Sequence, residues 1–68
     1  MIMKIEYDKE VDAAYIYIAP EIKEGMAKKT VALNEDIILD FDGSGKLIGI
    51  EVLNASKHLH KKTLLQEA

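Results

Sequence analysis

The chain has no cysteine and no arginine, a single proline, and no long apolar run, and each absence removes a class of function. Without cysteine there are no disulfides, no thiolate zinc sites and no cysteine nucleophile. Without arginine, all nine cationic side chains are lysines, and the planar fork that grips phosphates and guanine edges is missing, so no nucleic-acid partner is expected. No stretch reaches the roughly 18 apolar residues of a membrane span. The opening Met1-Ile2-Met3-Lys4-Ile5-Glu6 alternates like a strand, unlike a signal peptide. These features lead us to expect a cytoplasmic protein with no membrane partner.

What is present is a short, mixed chain: 68 residues, 49% hydrophobic and 31% charged. That composition is too apolar for disorder, and the length allows one domain, residues 1–68, with one core. A chain of this size buries only about 60% of the surface its unfolded form exposes. With no disulfide to make up the shortfall, self-association, as a homodimer, is the expected remedy. The net charge of −3 is unevenly spread. Residues 1–54 hold eleven acids against six lysines, and residues 55–68 hold three lysines against one acid. The body is acidic and the tail basic.

Hydrophobic periodicity predicts an α+β fold: a small antiparallel sheet of about five strands arranged as a meander, with one C-terminal helix packed on one face. The strands are expected at about 2–7, 13–19, 28–33, 37–42 and 46–52, and the helix at about 55–66. In the second strand Ala14, Ile16 and Ile18 share one face and Tyr15 and Tyr17 the other. Pro20 ends it, because proline gives no N–H to a ladder. Asp42-Gly43-Ser44-Gly45 reads as a tight hairpin. Asn54 or Ser56 is a candidate helix cap. The apolar stripe of the helix is poor, since Ala55 and Leu59 align while Leu64 and Leu65 drift off the line.

Several motifs invite functional readings. From Asp40 to Glu51, carboxylates at positions 1 and 3, a hydroxyl at 5, glycine at 6 and glutamate at 12 reproduce the layout of a calcium loop. The flanks, however, alternate as strands, and an extended strand would carry Glu51 roughly 17 Å past Lys46, so a hairpin is the better reading and no metal residue is assigned. His58 and His60, two apart, diverge on a helix and read as part of a solvated basic face. Ser44 or Ser56 with His58 lacks a nucleophile elbow, and Asp8, Asp12, Asp40 and Asp42 read as turn carboxylates, so no catalytic or cofactor residue is expected and the protein is read as a non-enzyme. Tyr15 and Tyr17, with Ile38 and Leu47, are expected to form a second apolar surface that one helix leaves uncovered. They are the candidate interface residues, together with Leu59, Leu64 and Leu65 of the helix.

Tyr7-Asp8, Asp12-Ala13-Ala14-Tyr15-Ile16, Leu39-Asp40-Phe41-Asp42-Gly43 and Ile48-Gly49-Ile50-Glu51-Val52-Leu53-Asn54-Ala55-Ser56 together resemble the short prokaryotic proteins grouped as domain of unknown function 2283. The resemblance covers residues 3 to about 59 and departs at Ala14, where a larger aliphatic is usual. It implies a small sheet-and-helix protein without an assigned biochemical role, and an antitoxin-like or other partner-binding role. The acidic body would complement a basic protein partner. The expectation is therefore a self-associating protein-binding module. The alternative is an ion or small-ligand sensor built on the turn from Asp40 to Gly45.

Overall fold

The computed structural model describes residues 4–65. Five strands and two short helices follow in order: β1 (Lys4–Asp8), β2 (Ala13–Tyr17), β3 (Lys29–Ala32), β4 (Ile37–Phe41), β5 (Leu47–Leu53), α1 (Ala55–His58) and α2 (Lys61–Leu64). The α+β class and the five antiparallel strands agree with the sequence pattern, but the strand order is β1-β2-β5-β4-β3, not that of a plain meander. A β1–β2 hairpin and a β3–β4–β5 meander are joined where β2 pairs with β5. The physical reason lies in the two strands that exchange places. A meander would put β3 in the interior, yet all four residues of β3 are exposed, whereas β5 supplies Ile48, Ile50 and Val52 and takes the centre. The segment from Ile18 to Lys28 is long enough to carry the chain past the two strands between β2 and β3.

The pairing register sorts the side chains into two faces. Tyr7, Ala14, Val52 and Ile37 form one inner row, and Ile5, Ile16, Ile50, Leu39 and Val31 the next. Glu6, Tyr15, Glu51, Ile38 and Ala32 form an outer row, followed by Lys4, Tyr17, Gly49, Asp40 and Thr30. Between Asp40 and Phe41 the register shifts, leaving Ile48 as the extra residue of a β-bulge. Its side chain is buried and its carbonyl accepts from the Ile18 and Ala19 amides at 2.9 and 3.0 Å. The bulge thus anchors the start of the crossover loop.

The core is small. Ala14, Val52, Ala55 and Leu64 form it, with Tyr7, Ile16, Ile37, Ile50 and Leu59 packed around. The single helix expected over 55–66 is two helices, because Leu59 and His60 are extended (φ/ψ −116/142° and −64/147°). No proline or glycine causes the break. An unbroken helix would point Leu64 about 140° away from Leu59, five residues on at 100° each, whereas the break lets both reach the same core. Residue 66 of the expected helix and residues 2 and 3 of the expected first strand lie outside the described residues.

Candidate functional site

At the β5–α1 junction, two acidic residues from distant turns grip the chain. Asp12 has a left-handed backbone (φ 53°) at the end of the β1–β2 turn. Its carbonyl accepts from the Ala55 amide at 2.8 Å, its Oδ1 from the Ser56 amide at 3.0 Å, and its Oδ2 from Ser56 Oγ at 2.7 Å. Tyr7 Oη also donates to Oδ1, at 2.7 Å. The helix cap expected from Asn54 or Ser56 is therefore supplied by a residue 44 positions before Ser56. Asn54, itself left-handed (φ 51°), makes no side-chain capping bond, and its Nδ2 donates to Asp36 Oδ1 at 3.0 Å instead. Asp36 completes the second grip: its carbonyl accepts from the Leu53 amide at 2.7 Å, and its Oδ2 lies 2.9 Å from His58 Nε2. Bonds from Ser56 and then Tyr7 hold the Asp12 carboxyl below its ordinary pKa, and bonds from His58 and Asn54 do the same for Asp36. Ser56 and His58 thus engage two different carboxylates, and the serine, histidine and acid of the sequence reading are not brought into one relay.

The outer face places Tyr15 and Tyr17 as expected, opposite the helices, with ring centroids 4.9 Å apart in an edge-on arrangement. Both hydroxyls are engaged. Tyr15 Oη donates to Asp40 Oδ2 at 2.8 Å, while Thr30 Oγ1 donates to Asp40 Oδ1 at 2.9 Å. Tyr17 Oη donates to Glu6 Oε1 at 2.5 Å, and Lys4 Nζ lies 3.5 Å from Glu6 Oε2 and 5.5 Å from the Tyr17 ring centre. Burial and the Asp40 bond push the Tyr15 hydroxyl pKa up, and the Tyr17 bond pulls that of Glu6 down. Tyr15 reaches Asp40 by crossing β5 at Gly49, where an added Cβ would overlap the tyrosine ring and hydroxyl. Sequence reasoning passed over this glycine, although a lone glycine within a strand pattern is a signal for a close approach. Ile38 is half-buried on this face, interleaved with Glu6, Asp40 and Glu51, whereas Leu47, expected beside it, is shifted by the bulge to lie opposite Phe41 on the inner face. The surface is mixed acidic and aromatic, less apolar than the sequence suggested.

Of the three helix leucines read as contact residues, Leu64 is 8% exposed in the core, Leu59 packs against it, and Leu65 stands 71% exposed. Leu59, Leu64 and Leu65 also line a groove of about 570 Å³ with Tyr7, Ser56, Lys9 and Lys61.

The calcium-like loop folds as a hairpin. Asp42 Oδ1 accepts from the Ser44 amide, Ser44 Oγ and the Lys46 amide at 2.9, 2.7 and 3.0 Å, and Gly45 takes a positive φ of 87°. Those bonds, Ser44 Oγ foremost, hold the Asp42 carboxyl below its ordinary pKa. Among the described residues no three of histidine, aspartate and glutamate gather as a metal-binding group, and no helix is long and apolar enough to cross a membrane.

A family model described as a protein of unknown function (DUF2283) matches residues 4–56, which carry all five strands and the start of α1. An uncharacterized protein of Methanocaldococcus jannaschii (MJ0789) is 50% identical over 58 residues. The match covers 84% of this chain and 45% of that relative, so the chain spans about half of the relative's length. No solved structure matches the chain.

Proposed function

The chain belongs to the DUF2283 family, and from its surfaces we propose that it is a protein-binding module that associates with itself and receives a basic protein partner on its acidic face. The observation that carries this reading is the incomplete cover of the sheet. Among the described residues only Ala14, Ile48, Val52, Ala55 and Leu64 are buried hydrophobics, while Ile5, Ile16, Leu39, Phe41 and Ile50 of the inner face remain partly exposed and Val31 and Leu33 more so. A second copy would remove from water whatever part of that area it covers, Val31 and Leu33 being the most open, at roughly 25 cal/mol per Å². Light scattering on a sizing column, at high micromolar concentration, tests the reading: a mass of two chains is expected, and one chain at every concentration overturns it.

The basic partner is supported by the outer face, where Glu6, Asp40 and Glu51 surround two tyrosines and Lys4 already lies over one ring. An antitoxin-like role, which the family resemblance implies, is the form of this reading in which the basic partner is a toxin. A lysine-rich peptide is expected to shift the Tyr15 and Tyr17 ring resonances, and less so in high salt. Absence of any shift at low salt removes this half of the proposal. An ion sensor at the Asp40 to Gly45 turn has weaker support, because Asp40 and Asp42 accept five hydrogen bonds within the protein.

A further inference from the structure

Self-association, as read above, leaves open which surface meets which, and the two edges of the sheet differ in how well they suit it. β1 alternates Lys4, Glu6 and Asp8 along its outer face, so pairing with itself about its centre sets Glu6 against Glu6. Charges so placed are a common protection of an edge strand. β3 carries one charge, Lys29, at its first position, and has no proline and no register shift in its pairing with β4; the alternation ends at Lys28, whose amide donates to the Phe41 carbonyl at 2.9 Å. The Leu33 amide donates to the Ile37 carbonyl at 2.8 Å, which fixes the phase of the β3–β4 ladder. By alternation Val31 turns its N–H and C=O toward β4, and Thr30 and Ala32 turn theirs outward.

We infer that β3 pairs antiparallel with β3 of a second copy about a two-fold axis at Val31, joining two five-stranded sheets into one of ten strands. The inference rests on the self-association reading and specifies its contact. In this register Thr30 lies opposite Ala32 of the second copy, and the four outward polar groups of each strand's pair close into four hydrogen bonds. Val31, 37% exposed, meets Val31 of the second copy on the inner face, and Leu33, 65% exposed, lies opposite Lys29 of the second copy, whose aliphatic stem covers it. No like charges oppose one another. The register also brings Lys29 beside the turn of the second copy that carries Glu35, a complementary pair of charges repeated by the two-fold axis. A four-residue edge covers less than the roughly 800 Å² per partner of a standard stable complex, so the dimer is concentration-dependent and weakened by salt.

The test uses the full chain over a concentration series, with mass from light scattering and amide protection from hydrogen exchange. Protection at Thr30 and Ala32 is expected to rise with concentration, while that at Val31, bonded within its own sheet, stays constant. Val31→Lys sets two ammonium groups across the axis, and Ala32→Pro removes an outward donor without touching β4. Each is expected to weaken dimerisation by roughly tenfold or more while the circular dichroism is retained. Val11→Lys, at a site 67% exposed in the β1–β2 turn, leaves the dimer unchanged. If Ala32→Pro fails to fold, Val31→Lys and the Thr30 and Ala32 amides decide. A wild-type monomer at every concentration overturns both the reading and the inference. A dimer that survives Val31→Lys with unprotected Thr30 and Ala32 amides overturns the β3 contact alone, leaving self-association through another surface.

Discussion

The two halves of the inner sheet face are built from similar apolar residues but differ in what lies on them. Toward β1 and β2, Ala14 and Val52 are covered by Ala55 and Leu64 from the two helices. Toward β4 and β3, Leu39 and Phe41 are half-buried and Val31 exposed, with no helix among the described residues packed on them. One side has completed its core within the chain. The other has the alternation of a core-facing sheet without the second layer that such a face requires. Stability is therefore expected to come mainly from the first half and association from the second.

Leu64→Ala is the largest test of that division. It removes the main helix anchor of the covered half and is expected to cost about 2–4 kcal/mol, enough to unfold much of so small a domain in a chemical denaturation experiment. A loss no greater than that of an exposed leucine would show that the helices add little. Gly49→Ala acts on β5, the strand both halves share. The new methyl displaces Tyr15 from Asp40, and a cost of about 1–3 kcal/mol is expected, with a changed tyrosine signal in near-ultraviolet circular dichroism. Restoring space by Tyr15→Ala in the same chain should make the alanine at 49 nearly neutral.

Acid is expected to loosen the covered half through its junction. The Asp12 and Asp36 carboxyls are held below their ordinary pKa in the folded protein, so the unfolded chain takes up their protons first. The stability they contribute is complete above the unfolded aspartate value of about 3.9 and is lost as pH falls through the lower folded values. Amide exchange at Ala55 and Ser56 should report the loss below about pH 4, and Asp12→Asn should remove the Asp12 part of the pH dependence. The smallest effect belongs to the open half: Leu33→Ala is expected to change folding stability by less than about 0.5 kcal/mol, since the side chain is already in water.

Local pattern carried the strands and the faces. Alternation assigned Ala14 and Ile16 inward and Tyr15 and Tyr17 outward, and two glycines within three residues marked the β4–β5 hairpin. Properties that depend on residues far apart were not legible. Tyr15 and Asp40 are 25 positions apart, and nothing in either neighbourhood pairs them. Asp12 looked like one more turn carboxylate because its helix begins 43 residues later, at Ala55. The strand order was hidden as well, because the crossover loop has no periodicity that tells which strand it will join. The helix break did leave a trace: Leu64 and Leu65 lay off the stripe set by Ala55 and Leu59, and two segments aimed separately resolve that mismatch.

The Asp12 cap also bears on the order of events during folding. A helix of four residues is far too short to nucleate alone in water, where even favourable sequences need about 12–15. Its first two amides are bonded to the β1–β2 turn, so α1 is expected to form only once that hairpin and β5 have come together. With so much loop closure expected before α1 can form, the protein should fold slowly for its length. A peptide of the tail alone would be coil.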